Sequence, residues 1–230
     1  LGYQAAGTHF FQWGIGQHEA RTILEHAVSN GADSFVLVAN APEGITFAKA
    51  MLSLDKTRQR AIRSHWGITG GTFFQSLGAS TVNQLDLAFI QTRFSLLQTP
   101  LSSEGENALS AASIILNNAL SPTDIKAPTG FIHAYDLTRI LIAAAEQTAI
   151  PEDPKQARQI IKTNLENLAI TVSGLIKRYK QPFSSDIETN FDAHEALGLE
   201  DLLMARFDIH GNIRLSEPSL GKIYGVNHGN

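Results

Sequence analysis

Gly14 and Gly16 stand between an aromatic run (THFFQW, residues 8–13) and a helical pattern. That is the type and spacing of a turn whose backbone can approach a pyrophosphate at a helix N-terminus. Glu19 occupies the place of the third glycine, so a plain strand-to-helix turn is the better reading. A second glycine-rich run, GITGG (67–71), lacks the Lys and Ser/Thr that complete a phosphate-binding loop. It reads as a binding loop without phosphoryl-transfer chemistry. Eight histidines raise the question of a metal, yet no two are four residues apart around a glutamate. The chain also has no cysteine to complete a tetrahedral site. No serine sits in a G-x-S-x-G elbow. The expectation is therefore no catalytic residue, no metal ligand and no cofactor, and a protein that is not an enzyme.

A different set of polar and aromatic residues falls just after predicted strands. Trp13 follows the first, Asn40 and Glu43 the second, His65 and Trp66 the third. Open parallel sheets bind ligands beyond the C-terminal ends of their strands, where backbone groups and helix N-termini are free. Each residue alone has an ordinary structural role: Trp13 and Trp66 as edge aromatics, Asn40 as a turn former before Pro42. Glu43 would be a first-turn helix carboxylate and His65 a satisfied core histidine. Their recurrence at successive strand ends makes the five together candidates for binding a ligand.

The elements that must position them are legible. Residues 17–30 place Ala20, Ile23, Leu24, Ala27 and Val28 on one helical face, with Gly31 where a C-terminal cap belongs. Residues 34–38 (SFVLV) read as a strand buried on both faces, followed by a helix to about Leu52. Residues 61–65 and 86–92 (DLAFIQT) are further strands, with a short helix at 72–77 between them. Strands alternating with helices predict a parallel α/β sheet with right-handed crossovers. From about Phe94 the pattern is helical: 104–118, 131–148 and a third helix after Pro154. The second of these is apolar round most of its circumference and should be deeply buried. The last part returns to strands as a hairpin, LLMARFD and IRLS around a turn at 209–212. Helices without a sheet of their own suggest part of a larger protein, with an apolar face free to drive a homodimer.

Composition narrows the partners. The chain is 43% hydrophobic and 17% charged, enough apolar residue for a real core. Eighteen Lys and Arg against 22 Asp and Glu give a net charge of -4, which disfavours nucleic acid and anionic membrane surfaces. No apolar stretch approaches the roughly 20 residues of a membrane-spanning helix. The opening residues show no basic or long apolar region of a secretory signal, so any signal is expected to have been removed or to lie outside this sequence.

The runs GADSFVLVANAPEG (31–44), SHWGITGG (64–71), HAYDL (133–137) and RFDIHGNI (206–213), in this order, resemble the type I periplasmic-binding-protein superfamily. Within it they look like the branched-chain amino-acid-binding proteins of ABC importers. The resemblance implies an α/β fold: one parallel-sheet lobe of a two-lobed structure, with helices of an incomplete partner lobe. It places residues 1–92 in the second lobe, 93–180 among helices returning to the first, and 181–230 back in the second. It further implies an extracytoplasmic receptor for an amino acid or related small molecule, delivering to an ABC permease. The alternative is a sensor domain with a membrane signalling partner such as a histidine kinase. By the same resemblance, Asn40, His65 and Trp66 lie near the ligand, but the aromatic and the carboxylate usual in aliphatic amino-acid binders are absent from those positions.

Overall fold

The computed structural model describes residues 5–216; expectations about residues 1–4 and 217–230 lie outside the described residues. Helix α1 (Gln17–Ser29) buries Ala20 and Leu24 on its apolar face, and Gly31 takes the positive φ of 90° that closes it. Strand β1 (Ser34–Leu37), helix α2 (Ala41–Leu52) and strand β2 (Ala61–Ser64) follow as the sequence predicts. After two short helices, α3 (Phe73–Leu77) and α4 (Ala79–Val82), comes β3 (Leu87–Thr92), almost wholly buried. The three strands pair in parallel, so their C-terminal ends lie along one edge. The sheet is completed by a hairpin, β6 (Leu202–Phe207) and β7 (Ile213–Leu215), antiparallel to β3. The strand order is β1-β2-β3-β6-β7. Its turn is organised by the Asp208 carboxylate, which accepts from the backbone N–H groups of His210 and Asn212 and from Arg214. Gly211 is required there twice over, by a φ of 82° and by the Phe74 ring, 2.4 Å from where a Cβ would stand.

Two local expectations are corrected. Residues 8–13 form no strand: Phe10 is 93% exposed, and Phe11, against the Phe47 ring, is the residue of that run packed on the core. Aromatic β-propensity reflects packing on a pleated surface and does not by itself supply a hydrogen-bonding neighbour. Strand β1 is buried on one face alone. Phe35 and Leu37 join the core with residues of α1 and α2, while Val36 is 86% and Val38 69% exposed. A continuous apolar run cannot reveal that its strand lies at the edge of the sheet.

The helical part consists of α5 (Ser103–Ile115), α6 (Pro128–Glu146) and α7 (Pro154–Glu166). Helix α6 buries a single stripe, Thr129, Ile132, Asp136, Ile140 and Ala144, and leaves Leu137, Leu141 and Ile142 exposed. The expectation of deep burial fails because apolarity all round says nothing about how many neighbours are available. Among the described residues the face with Leu137, Leu141 and Ile142 is left uncovered, as expected, while Phe131, Tyr135 and Ala143 are half-buried against the cores. A small hairpin that the sequence reading did not include, β4 (Thr171–Ser173) and β5 (Arg178–Lys180), packs beside α6. Asp136 fastens the two. Its carboxylate, 3% exposed, accepts from the backbone N–H groups of Leu175 and Ile176 and from the Tyr179 hydroxyl. Burial, reinforced by this hydrogen bond, pushes the Tyr179 phenol well above its usual range.

Asp136→Ala strands two N–H groups and a hydroxyl in the interior, at about 1–3 kcal/mol for each unsatisfied group. Urea unfolding should show a loss of about 3 kcal/mol or more for Asp136→Ala and about 1 kcal/mol for Tyr179→Phe. A loss below about 0.5 kcal/mol for Asp136→Ala would show that the hairpin is not held through this carboxylate.

Candidate ligand-binding site

The parallel pairing of β1 with β2 brings two strand-end loops side by side. The last rung runs from the His65 backbone N–H to the Leu37 carbonyl at 2.9 Å, after which both chains leave the sheet. Asn40 is the N-cap of α2 with extended backbone (φ −87°, ψ 176°), but its side chain makes no capping hydrogen bond and is exposed. His65 caps the 3-10 turn Trp66–Thr69 by accepting from the Gly67 N–H on Nδ1 at 3.0 Å. That bond leaves Nε2 as the ring's proton-bearing nitrogen. Gly67 permits the two loops to meet. A Cβ there would lie 2.5 Å from the Ala39 carbonyl oxygen, 3.1 Å from Asn40 Oδ1 and 3.2 Å from His65 Nδ1.

Glu43 sits in the first turn of α2, where the helix N-terminus favours negative charge. It is 5% exposed, and Oε1 accepts from the Gly14 N–H at 3.1 Å, tying the turn before α1 to α2. Oε2 is buried and has no partner. Gly14, with a φ of 74°, makes the turn that places Trp13 beside this contact. Trp13 is therefore not at a strand end, and it is 79% exposed.

Trp13, Asn40, Glu43 and His65 all line one groove of about 1200 Å³, between residues 5–13, α1 and the open side of β1. Trp66 is not among the residues lining it. Its half-buried ring lies 4.2 Å from the His65 ring, centroid to centroid, and meets the His133 ring of α6 edge-on at 5.5 Å. His133 was absent from the sequence-based set. Its Nε2 is buried without a partner, and burial lowers its pKa, opposed by the nearby Asp136 charge. The HAYDL run contains both residues, but nothing in the sequence tells that one faces Trp66 and the other the hairpin. Beneath the loops, Thr129 Oγ1 bonds Gln91 of β3 at 2.7 Å and Thr69 at 3.2 Å, joining α6 to the sheet.

The arrangement offers aromatic surface, two imidazoles (His9, His65), two amides (Asn30, Asn40) and two carboxylates (Asp33, Glu43) along a groove, which is chemistry for holding a molecule. Among the described residues no group of three His, Asp or Glu side chains is placed to hold a metal ion, and no helix is long and apolar enough to cross a membrane.

No protein-family pattern matches the chain, and no curated protein sequence matches it. Solved structures do. An ABC transporter substrate-binding protein from Aeropyrum pernix aligns over 86% of this chain and 47% of its own, with a TM-score of 0.57 and 14% identity. A type 1 periplasmic binding protein from Bordetella pertussis aligns over 84% and 48%, with a TM-score of 0.53 and 14% identity. The branched-chain amino acid substrate-binding protein LivJ from Streptococcus pneumoniae, solved with isoleucine, aligns over 84% and 46%, with a TM-score of 0.51 and 18% identity. The likeness is one of fold: a mostly parallel sheet with flanking helices, matching a lobe of the type I periplasmic-binding architecture. The chain spans about half the length of the structures it matches.

Gly67→Ala should cost about 1–3 kcal/mol, since overpacking here meets backbone that cannot step aside. Gly14→Ala has open space and should cost only the strain of its positive φ, about 1 kcal/mol. Thermal melts compare the two, and amide NMR shifts at Asn40 and His65 report the displaced loop. Equal stability of Gly67→Ala and wild type would mean the loops are not in contact at this point.

Proposed function

We propose that this chain, whose fold is that of a type I periplasmic-binding lobe, binds a small solute outside the cytoplasm for delivery to an ABC importer. The observation that carries the reading is the convergence of Trp13, Asn40, Glu43 and His65 on one groove next to the ends of β1 and β2. The fold supports it, because the structures that share the fold are named as substrate-binding or periplasmic binding proteins. Those names favour transport over signalling. In this reading the ligand is an amino acid or a related compound, held without chemical turnover. Trp66 backs His65, and His133 backs Trp66. The exposed Leu137, Leu141 and Ile142 of α6 are where further sequence or a second copy of the chain would pack.

Thermal-shift screening against the twenty amino acids and a set of small amines should yield a compound that raises Tm and binds with a one-to-one stoichiometry by calorimetry. His65→Ala and Asn40→Ala should each weaken it by about tenfold, a hydrogen bond's worth of about 1.4 kcal/mol. Trp66→Ala should weaken it less. Mass spectrometry should recover the compound unaltered. Recovery of a chemically converted product, or full affinity in a folded His65→Ala, Asn40→Ala double variant, would overturn the reading.

A further inference from the structure

A second cavity, of about 150 Å³, lies apart from the groove and shares no lining residue with it. It sits where three parts of the chain meet: α3 with the β6-β7 hairpin, the segment after β3, and residues 122–128 that lead into α6. Phe73 and Ile213, from the core around the sheet, line it together with Phe94, Leu96 and Ile132, from a core around the helices. All five are buried. A space of this volume walled by apolar side chains accepts a benzene ring.

Its aromatic wall is held in place. The Phe207 ring stacks on Phe73 at 5.6 Å between centroids and tilts against Phe74 at 5.7 Å. Gly211 leaves the Phe74 ring the space that a Cβ would take. Gln91 and Thr69, both buried, add polar atoms to the lining and are tied in by Thr129. Apolar walls with a few fixed polar groups are the make-up of a small-molecule pocket. Charge enters at the mouth, where Lys126 and His210 line the cavity and are exposed. The neighbouring Asp124 carboxylate is engaged elsewhere. Hydrogen bonds from the Ser121 hydroxyl and backbone N–H, at 2.7 and 2.8 Å, do most to hold it below its usual pKa, and the Lys126 charge does least.

We propose that this cavity is a binding site for a small carboxylic acid with an apolar, benzene-sized body. The body lies among Phe73, Phe74 and Phe207, and the carboxylate meets Lys126 at the mouth. A molecule held there touches the sheet core and a helical core at once, so its binding opposes their separation.

Benzoate, benzyl alcohol and benzylammonium, titrated into the whole chain at pH 7 and low salt by calorimetry, test the assignment. Benzoate should bind about threefold tighter than benzyl alcohol, the scale of an exposed charge pair, and benzylammonium more weakly than either. Amide NMR signals of Gly71 and Gly211 should shift on titration while those of Asn40 and His65 stay in place. Lys126 is exposed, so Lys126→Met should keep the wild-type Tm. It should remove the advantage of benzoate and leave benzyl alcohol within about twofold, and Lys126→Arg should retain the advantage. If benzyl alcohol or benzylammonium binds as tightly as benzoate, or if Lys126→Met keeps the preference, the acid assignment is wrong. If no probe shifts Gly71 or Gly211, the cavity is not a binding site.

Discussion

The parallel register of β1 against β2 is the constraint from which the site follows. Pairing Leu37 with Ser64 ends both strands at the same level, and the next hydrogen bond, from His65 to Leu37, carries the register one residue past the sheet. A one-residue slip would turn His65 from one face of the sheet to the other. It would also separate Gly67 from the Ala39 carbonyl, against which it now packs too closely for any side chain. The positions of Asn40 and His65 are thus fixed by backbone pairing and not by contact between the two side chains.

A second layer of order comes from polar groups buried where elements of different character meet. Gln91, Thr129 and Thr69 join strand, helix and turn beneath the site, and Asp136 joins the same helix to the β4-β5 hairpin. Such groups are fully satisfied and hold directional geometry that apolar packing alone would leave loose. The apolar cores on either side are separate clusters, one around the sheet and two around the helices. The polar junctions are what give these clusters a defined relation. Among the described residues Glu43, Thr92 and His133 each keep one unpartnered buried atom and depart from that rule, and Glu43 and His133 border the loops that carry the candidate site.

The open side of β1 shapes the rest. With no further strand paired there among the described residues, Val36 and Val38 stay exposed and the groove lies alongside them. Glu43 spans this region by holding the turn at Gly14, so a buried carboxylate is the link between the N-terminal segment and α2.

The sequence by itself determined most of the elements. Helical spacing with Gly31 behind it located α1, the runs at 34–38, 61–65 and 86–92 located β1 to β3, and the turn at 209–212 located the final hairpin, because these signals depend on neighbours three or four residues away. It also placed Asn40, Glu43 and His65 just beyond strands, which parallel pairing converts into proximity. What only the tertiary structure decided depends on distant partners. The run at residues 8–13 has strand-forming residues and no strand, since propensity cannot supply a hydrogen-bonding neighbour. SFVLV became an edge strand, since the number of covered faces is set by the whole sheet. Trp66 turned to His133 across 67 residues of chain, and Glu43 to Gly14 across 29. No periodicity records which of two nearby polar atoms will be left without a partner, because that is settled by how separately formed elements finally pack.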